Sequence, residues 1–402
     1  MQILQVVLNL SRNSTGVAVT VRNFFDAMLA LGHKPLTVSF DSSTQDAEHR
    51  PAGTVSIPTV PIHGMKRYCF SPQAFLGSYD QVVKRSDLLL IHNLYAHYFT
   101  WAARLAMKFD KPCLVVPHGA LTDFCLSRNT IAKKIWIASM REFISQRAGL
   151  ICSSDYELRQ ALHYVRPAST HVFYWPAQPV PDTRIGSTVE ERDRPTILLA
   201  GRLHPMKRTL QTVRAFRSVH RAGARLYVAG PPSKEVSVRD LKQAAGADWG
   251  TSVIYLGELA RSEMQDWYRR ADGMVIFSKG DNFSHAAAEA MLAGCPVFVS
   301  QDVGLGSLIE EQDCGSAFAI ESDIDIERAL VQVLDRAATR SRLSGAKVES
   351  VSAALSEASF RINVSRAFMS ACASVNLSAS QGRLGIAETR LAESTPSRHR
   401  RL

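Results

Sequence analysis

The seven cysteines lie scattered at positions 69, 113, 125, 152, 295, 314 and 372, and no two form a C-x-x-C pair. That spacing offers neither a zinc site nor a dithiol redox motif. The odd count fits reduced thiols better than a disulfide framework. No stretch approaches the roughly 18–20 apolar residues needed to span a bilayer. No basic segment precedes a cleavable apolar run, because Met1-Gln2-Ile3-Leu4-Gln5-Val6-Val7-Leu8 enters a strand-like pattern at once. A secretory leader is therefore not expected, and a cytoplasmic protein is. The glycine fingerprint G-x-G-x-x-G is missing, which weakens a nicotinamide or flavin reading. Acidic excess is missing too: 47 Lys and Arg face 37 Asp and Glu, for a formal charge of +10. No recognised nucleic-acid module accompanies that charge, so nucleic acid is not an expected partner.

The 402 residues suit two or three domains, and an apolar content of 46% suffices for ordinary cores. One concentration of positive charge comprises Arg128, Lys133, Lys134, Arg141 and Arg147, opposed only by Glu142. It reads either as a solvated helix face or as a surface for an anionic membrane, with the protein peripheral on the inner face of the cytoplasmic membrane.

Short apolar runs alternate with helical patterns along the first half. Strands are expected at Ile3–Leu10, Leu36–Phe40, Asp87–His92, Cys113–Pro117 and Gly149–Cys152, with helices at Val17–Leu31 and Trp101–Phe109. The texture changes between Pro176 and Pro195, where prolines, Gly186 and a charged run remove all periodicity. A second series follows, with strands at Thr196–Ala200, Arg225–Ala229, Val253–Leu256, Gly273–Phe277 and Pro296–Ser300. Strands alternating with helices indicate βαβ units, hence an α/β fold with two Rossmann-like domains facing across a cleft. The expected division is 1–175, a linker at 176–195, a second domain at 196–350, a return helix at 351–375 and a disordered tail at 376–402.

Four segments carry candidate chemistry. The loop Asn9–Gly16 ends in Gly16 at a helix start, where free N–H groups suit a phosphate or carboxylate, although on its own it reads first as a plain strand–helix connection. Gly201-Arg202-Leu203-His204-Pro205-Met206-Lys207 follows a strand at the sheet edge where open α/β folds bind ligands. Arg202 and Lys207 could converge there on one anion, or both be solvated. Asp281, Asn282, Phe283, Ser284 and His285 follow another strand, with Glu289 a little over one turn inside the next helix. Its neighbours are small or apolar, so this carboxylate should be paired or functional. His118 ends the strand Cys113–Pro117 beside Gly119, which permits close backbone approach. Among the polar and aromatic residues after Asp87–His92, Asn93 and Tyr95 are best placed to bind an acceptor, while Trp101 reads as core. Asp323-Ile324-Asp325 is formally D-x-D but reads as a helix cap.

Taken in order, these segments resemble the retaining glycosyltransferases of family 4, which share the two-Rossmann glycosyltransferase-B architecture. The resemblance rests on Ala200-Gly201-Arg202 with Lys207, Gly257, Ala271-Asp272, Asp281-Asn282-Phe283-Ser284 with Glu289-Ala290, and Gly294-Cys295-Pro296-Val297. Pro117-His118-Gly119-Ala120-Leu121, with Lys133-Lys134 downstream, is similar to a segment of polysaccharide-synthesising members. The resemblance implies a UDP- or GDP-sugar donor, a glycan or lipid-linked acceptor, and no cofactor or metal. It implies that Arg202 and Lys207 bind the donor diphosphate, Glu289 the ribose hydroxyls, and Asp281, with the backbone of Phe283, Ser284 and His285, the sugar and phosphates. His118 would approach the reacting centre and Gly16 would let the first loop close.

The sequence departs from the family pattern at Asp281 (Glu is usual), Ser284 (Gly is usual), Thr15 before Gly16, and Arg208 after Lys207. Two alternatives share the architecture, a sugar-nucleotide 2-epimerase and a non-catalytic nucleotide-binding relative.

Overall fold

The computed structural model describes residues 1–10, 15–40, 50–61, 69–95, 97–127, 130–178, 194–219 and 223–373. Most of the expected linker (179–193) and the expected tail lie outside the described residues, as do 11–14 of the first loop.

The N-terminal domain is a seven-stranded parallel sheet built from β1 (Gln2–Val7), β2 (Lys34–Ser39), β3 (Val55–Ser56), β4 (Leu88–His92), β5 (Cys113–Val116), β6 (Ala148–Cys152) and β7 (Ser169–Val172). Its spatial order is β3-β2-β1-β4-β5-β6-β7. The C-terminal domain is a six-stranded parallel sheet of β8 (Thr196–Ala200), β9 (Arg225–Ala229), β10 (Val253–Gly257), β11 (Gly273–Ile276), β12 (Val297–Ser300) and β13 (Gly315–Phe318), ordered β10-β9-β8-β11-β12-β13. The central strands are continuous apolar runs because helices cover both faces, and Leu88, Leu89, Leu90 and Ile91 are all fully buried. In each sheet the order reverses beside the first strand, between β1 and β4 and between β8 and β11. These are the switch points at which such sheets open a crevice at their carboxyl ends.

Three strands of the two main sheets went unread in the sequence, β3, β7 and β13, as did the small antiparallel pair Val60–Pro61 and Cys69–Phe70. The three in the main sheets are short edge strands. Ser169-Thr170-His171-Val172 and Gly315-Ser316-Ala317-Phe318 are only half-buried and lack an apolar run. The expected return helix at 351–375 is broken at Leu355-Ser356, between Gly345–Ala354 and a second helix at 357–373. Ser322 and Asp325 form a capping box at the start of Asp323–Ala338, so the D-x-D sequence is a helix cap.

The final helix buries Phe360, Val364, Ala367, Phe368 and Ala371 at helical spacing. Phe360 enters an aromatic cluster of the N-terminal domain, edge-on to Phe24 (5.0 Å), Phe173 (5.6 Å) and Trp175 (6.0 Å). One apolar cluster thereby runs from Ile3, Leu88 and Leu114 of the first sheet to Leu198, Met274 and Val297 of the second. Replacing Phe360 by Ala leaves a cavity where four rings meet. The expected cost is about 3–5 kcal/mol of unfolding free energy, checked by denaturant titration.

Candidate active site between the two domains

Two loops rise from the switch point of the second sheet. The first leaves β8 at Gly201, whose N–H donates to the carbonyl of Ala229 and whose φ is +141°. The side-chain stem of Lys207 lies over Gly201; a Cβ there would meet Lys207 Cε at 3.7 Å. His204 caps the following 3-10 turn by accepting from the Met206 N–H at 3.1 Å. The second loop leaves β11, and the Lys279 N–H donates to the Met206 carbonyl at 2.7 Å, tying the two loops together. Lys207 Nζ then reaches Asp281 Oδ2 at 2.5 Å. Arg202 stands exposed at the rim. The structure thus joins Lys207 to Asp281, not to Arg202.

Arg208, a departure from the family pattern, is turned away from the cleft. It is 6% exposed and donates to the carbonyls of Phe277 (3.2 Å) and Ile320 (2.7 Å). Its guanidinium braces the base of the Asp281 loop from behind, with Asp302 contributing opposite charge.

Ser284 precedes the helix His285–Leu292 with φ +70°, which explains why glycine suits this position. Phe283 is buried and packs edge-on to His285 at 4.9 Å. Glu289 is half-buried and already partnered: the Tyr268 hydroxyl bonds to it, and Arg261 Nη2 lies 3.9 Å from Oε1. Burial pushes its carboxyl above the usual range, while Arg261 and the Tyr268 bond pull it back. Neither partner was read from the sequence, since both come from a helix some twenty residues upstream.

On the opposite side, His118 (φ +51°) and Gly119 (φ +74°) form a tight corner after β5. The Gly119 N–H donates to Glu157 Oε1 at 2.6 Å. The other oxygen of Glu157 accepts from the Ser153 N–H and hydroxyl, both at 2.8 Å. Glu157 is 1% exposed, and burial raises its carboxyl despite these three donors. In the sequence Ser154-x-x-Glu157 carries only a capping-box signal. Ser154 does cap the helix Asp155–Leu162, but the carboxylate is spent on the His118 corner.

The two domains meet at Asn282. Its backbone carbonyl accepts from the Ser154 hydroxyl (3.0 Å) and lies 3.2 Å from the Ser153 hydroxyl, whose single proton is shared with Glu157. Its side chain lies on Gly119, where a Cβ would come within 2.2 Å of Nδ2. A Cβ on Gly304 would stand 1.6 Å from the Asn282 carbonyl oxygen. The His118 corner and the Asp281 loop are therefore in direct contact across the cleft.

Other candidates lie apart from this contact. Gly16 is exposed, and the space a Cβ would take there is open. Asn93 has φ +70°, and its Oδ1 accepts from the Leu94 N–H at 2.7 Å. The Tyr95 hydroxyl donates to the Ala120 carbonyl at 2.7 Å and its ring packs edge-on to Trp136, so it supports the His118 corner from beneath. Trp101 is buried core.

The basic face is smaller than the sequence suggested. Lys133 turns inward to the Cys125 carbonyl, Arg147 pairs with Asp110, and Arg128 lies outside the described residues. Lys134 and Arg141 remain exposed on the helix Thr130–Arg147, beside Ile131 and Ile135, which are 77% and 65% exposed. Among the described residues no helix is long and apolar enough to cross a membrane.

Two facing Rossmann-like domains with a cleft at their switch points define the glycosyltransferase-B architecture. Solved structures share it: Anabaena HepE in complex with UDP (TM-score 0.70, 15% identity, 92% of this chain and 100% of that one) and sucrose-phosphate synthase from Thermosynechococcus elongatus (TM-score 0.68, 15% identity, 92% and 99%). The sequence family "Glycosyltransferase Family 4" matches residues 14–176 and "Glycosyl transferases group 1" matches residues 194–336. The chain belongs to the glycosyltransferases of the family 4 type. Among curated relatives, a D-inositol 3-phosphate glycosyltransferase of Xylanimonas cellulosilytica is 29% identical over 37% of this chain and 37% of its own length. An alpha-monoglucosyldiacylglycerol synthase of Streptococcus pneumoniae is 23% identical over 77% of this chain and 73% of its own length. The first match spans little more than a third of that relative.

Several histidines are held neutral by burial, His92 most strongly, and His118 is pushed down to about 4. A depressed histidine makes the folded state bind fewer protons than the unfolded chain. Its stabilising contribution is whole above the ordinary value near 6.5 and is lost as pH falls toward 4. The raised carboxyls of Glu157 and Glu289 act in the opposite sense on acidification. Melting temperature should therefore fall less between pH 6.5 and 5 in His118→Asn than in the unchanged protein. Asn tolerates the positive φ.

Proposed function

We propose that this protein moves a hexose from a UDP- or GDP-sugar to a hydroxyl of a glycan or lipid-linked acceptor, with retention at the anomeric carbon, in surface or exopolysaccharide synthesis. The observation that carries the reading is the Lys207–Asp281 pair at the C-terminal switch point, held against the His118 corner of the other domain through Asn282. A bound diphosphate would draw Lys207 from Asp281, and exposed Arg202 would close on the same phosphates from the rim. Positive charge placed where the bridging bond breaks stabilises the leaving group. Asp281, relieved of its lysine, would accept from a sugar hydroxyl. Glu289 keeps free lone pairs beside its Tyr268 bond for the ribose diol. The N–H groups at the start of His285–Leu292 would face the phosphates or sugar.

Retention fits a same-face attack in which a leaving-group oxygen takes the acceptor proton. The protein's part is then alignment and electrostatics, with no metal or cofactor called upon. The acceptor would enter over the N-terminal domain near Asn93 and Tyr95. HepE bound to UDP and to UDP-glucose supports a UDP-sugar as the first donor to test. The relatives named for an inositol phosphate and a diacylglycerol support acceptors that are phosphorylated or lipid-borne. The exposed Ile131 and Ile135, beside Lys134 and Arg141, would rest on an anionic leaflet on the cytoplasmic side.

A panel of nucleotide sugars tested by thermal shift should single out the donor, which at 100 times its dissociation constant adds about 2.7 kcal/mol of stability. With that donor, Arg202→Ala and Lys207→Ala should each lower kcat by about 10²–10³-fold, and turnover untouched by both would end this reading. Vesicles containing anionic lipid should sediment the protein at low salt, and Ile131→Ser with Ile135→Ser should release it. Equal sedimentation of that variant would remove the membrane from the proposal.

A further inference from the structure

A line of buried polar groups crosses the N-terminal sheet, and the mechanism above leaves most of it unused. Thr37 on β2, Gln5 on β1 and His92 at the end of β4 are each 0% exposed. Gln5 and Thr37 are register partners, and Gln5 Nε2 donates to Thr37 Oγ1 at 3.3 Å. Gln5 Oε1 lies 3.0 Å from His92 Nε2, and His92 Nδ1 lies 3.1 Å from His118 Nε2. The line therefore begins inside the sheet and ends at the corner that meets the donor loop.

A glutamine and a histidine at the centre of a parallel sheet are costly, and apolar residues of similar volume would pack there without demanding partners. The bonds instead form a directed series. With its amide nitrogen committed to Thr37, Gln5 presents its carbonyl oxygen to His92. His92 then carries its proton on Nε2 and offers a bare Nδ1. That nitrogen accepts from Nε2–H of His118, leaving His118 with Nδ1 as its remaining ring acceptor.

We propose that Gln5 and His92 are positioning residues that hold His118 in one neutral tautomer, Nε2 protonated and Nδ1 bare, so that the cleft meets an acceptor ready for a substrate hydroxyl. This rests on the transferase reading given above. The rings have little freedom to choose otherwise. The Tyr98 hydroxyl donates to the His92 carbonyl at 2.6 Å, Phe24 packs edge-on to the His92 ring at 5.6 Å, and Glu157 pins the backbone after His118. A histidine whose tautomer is set by a second group is how a neutral imidazole is given one direction of hydrogen bonding.

The test is long-range ¹H–¹⁵N spectroscopy of the histidine side chains in the full chain near neutral pH, with Gln5→Met and Thr37→Val beside the unchanged protein. Gln5→Met keeps volume and removes both amide atoms; Thr37→Val keeps shape and frees the amide to turn. The expected result is His92 and His118 protonated on Nε2 in the unchanged protein, and mixed His118 tautomers in both variants. With the donor found by thermal shift, kcat of Gln5→Met should fall by about ten- to hundredfold while its donor KM stays within about twofold. His118 protonated on Nδ1 in the unchanged protein, or a His118 tautomer unaltered in both variants, overturns the proposal. Absence of transfer with any donor would instead sink the transferase reading, and the spectra would still decide the tautomer.

Discussion

Close approach of the two domains at Asn282 is the constraint on which the cleft depends. A carbonyl oxygen of one domain can reach two serine hydroxyls of the other only if nothing protrudes between them. Gly119 and Gly304 supply that clearance, one on each side of Asn282. The three donors on Glu157 then fix the height of the Gly119 corner. A fully buried carboxylate is expensive, and its burial is tolerable only because each oxygen is satisfied. The geometry of His118 relative to Asp281 is thus set where side chains of one domain meet the main chain of the other, serine hydroxyls on the Asn282 carbonyl and the Asn282 amide on Gly119.

Electrostatics in the cleft follow from partners already in place. Lys207 is not a free cation waiting for an anion, because Asp281 neutralises it. On the proposed function an incoming diphosphate would have to displace that carboxylate, with its greater charge and with Arg202 as a second donor. Glu289 shows the same logic in reverse: Arg261 and the Tyr268 hydroxyl keep a half-buried carboxylate oriented. Arg208 differs from both, since it serves backbone carbonyls and carries the shape of the loop.

Much of the architecture was legible in the chain because both faces of each sheet are covered. Strands such as Leu88–His92 and Thr196–Ala200 are then uninterrupted apolar runs, and their ends locate the switch points. The family pattern around Gly201, Lys207, Asp281 and Glu289 could be read for the same reason, as local sequence after a strand. What could not be read was whatever depends on distant partners. Tyr268 and Arg261 reach Glu289 from another helix, and Gln5 meets His92 across 87 residues. The edge strands were missed because half-solvated backbone does not require an apolar sequence. The inward turn of Lys133 was missed because a helix face seen in one dimension does not reveal which cations have carbonyls to cap.

The terminal helix at 357–373 ties the two domains together. The chain leaves the first domain after Trp175 and comes back after Ala354 to seat Phe360 beside Phe24 and Trp175. The outgoing and returning segments touch, since the Ala177 N–H donates to the Leu355 carbonyl at 3.0 Å. Both lie in the apolar cluster that spans the two sheets. A chain cut short before Phe360 would therefore lose a wall of the first domain's core although the cut falls after the second.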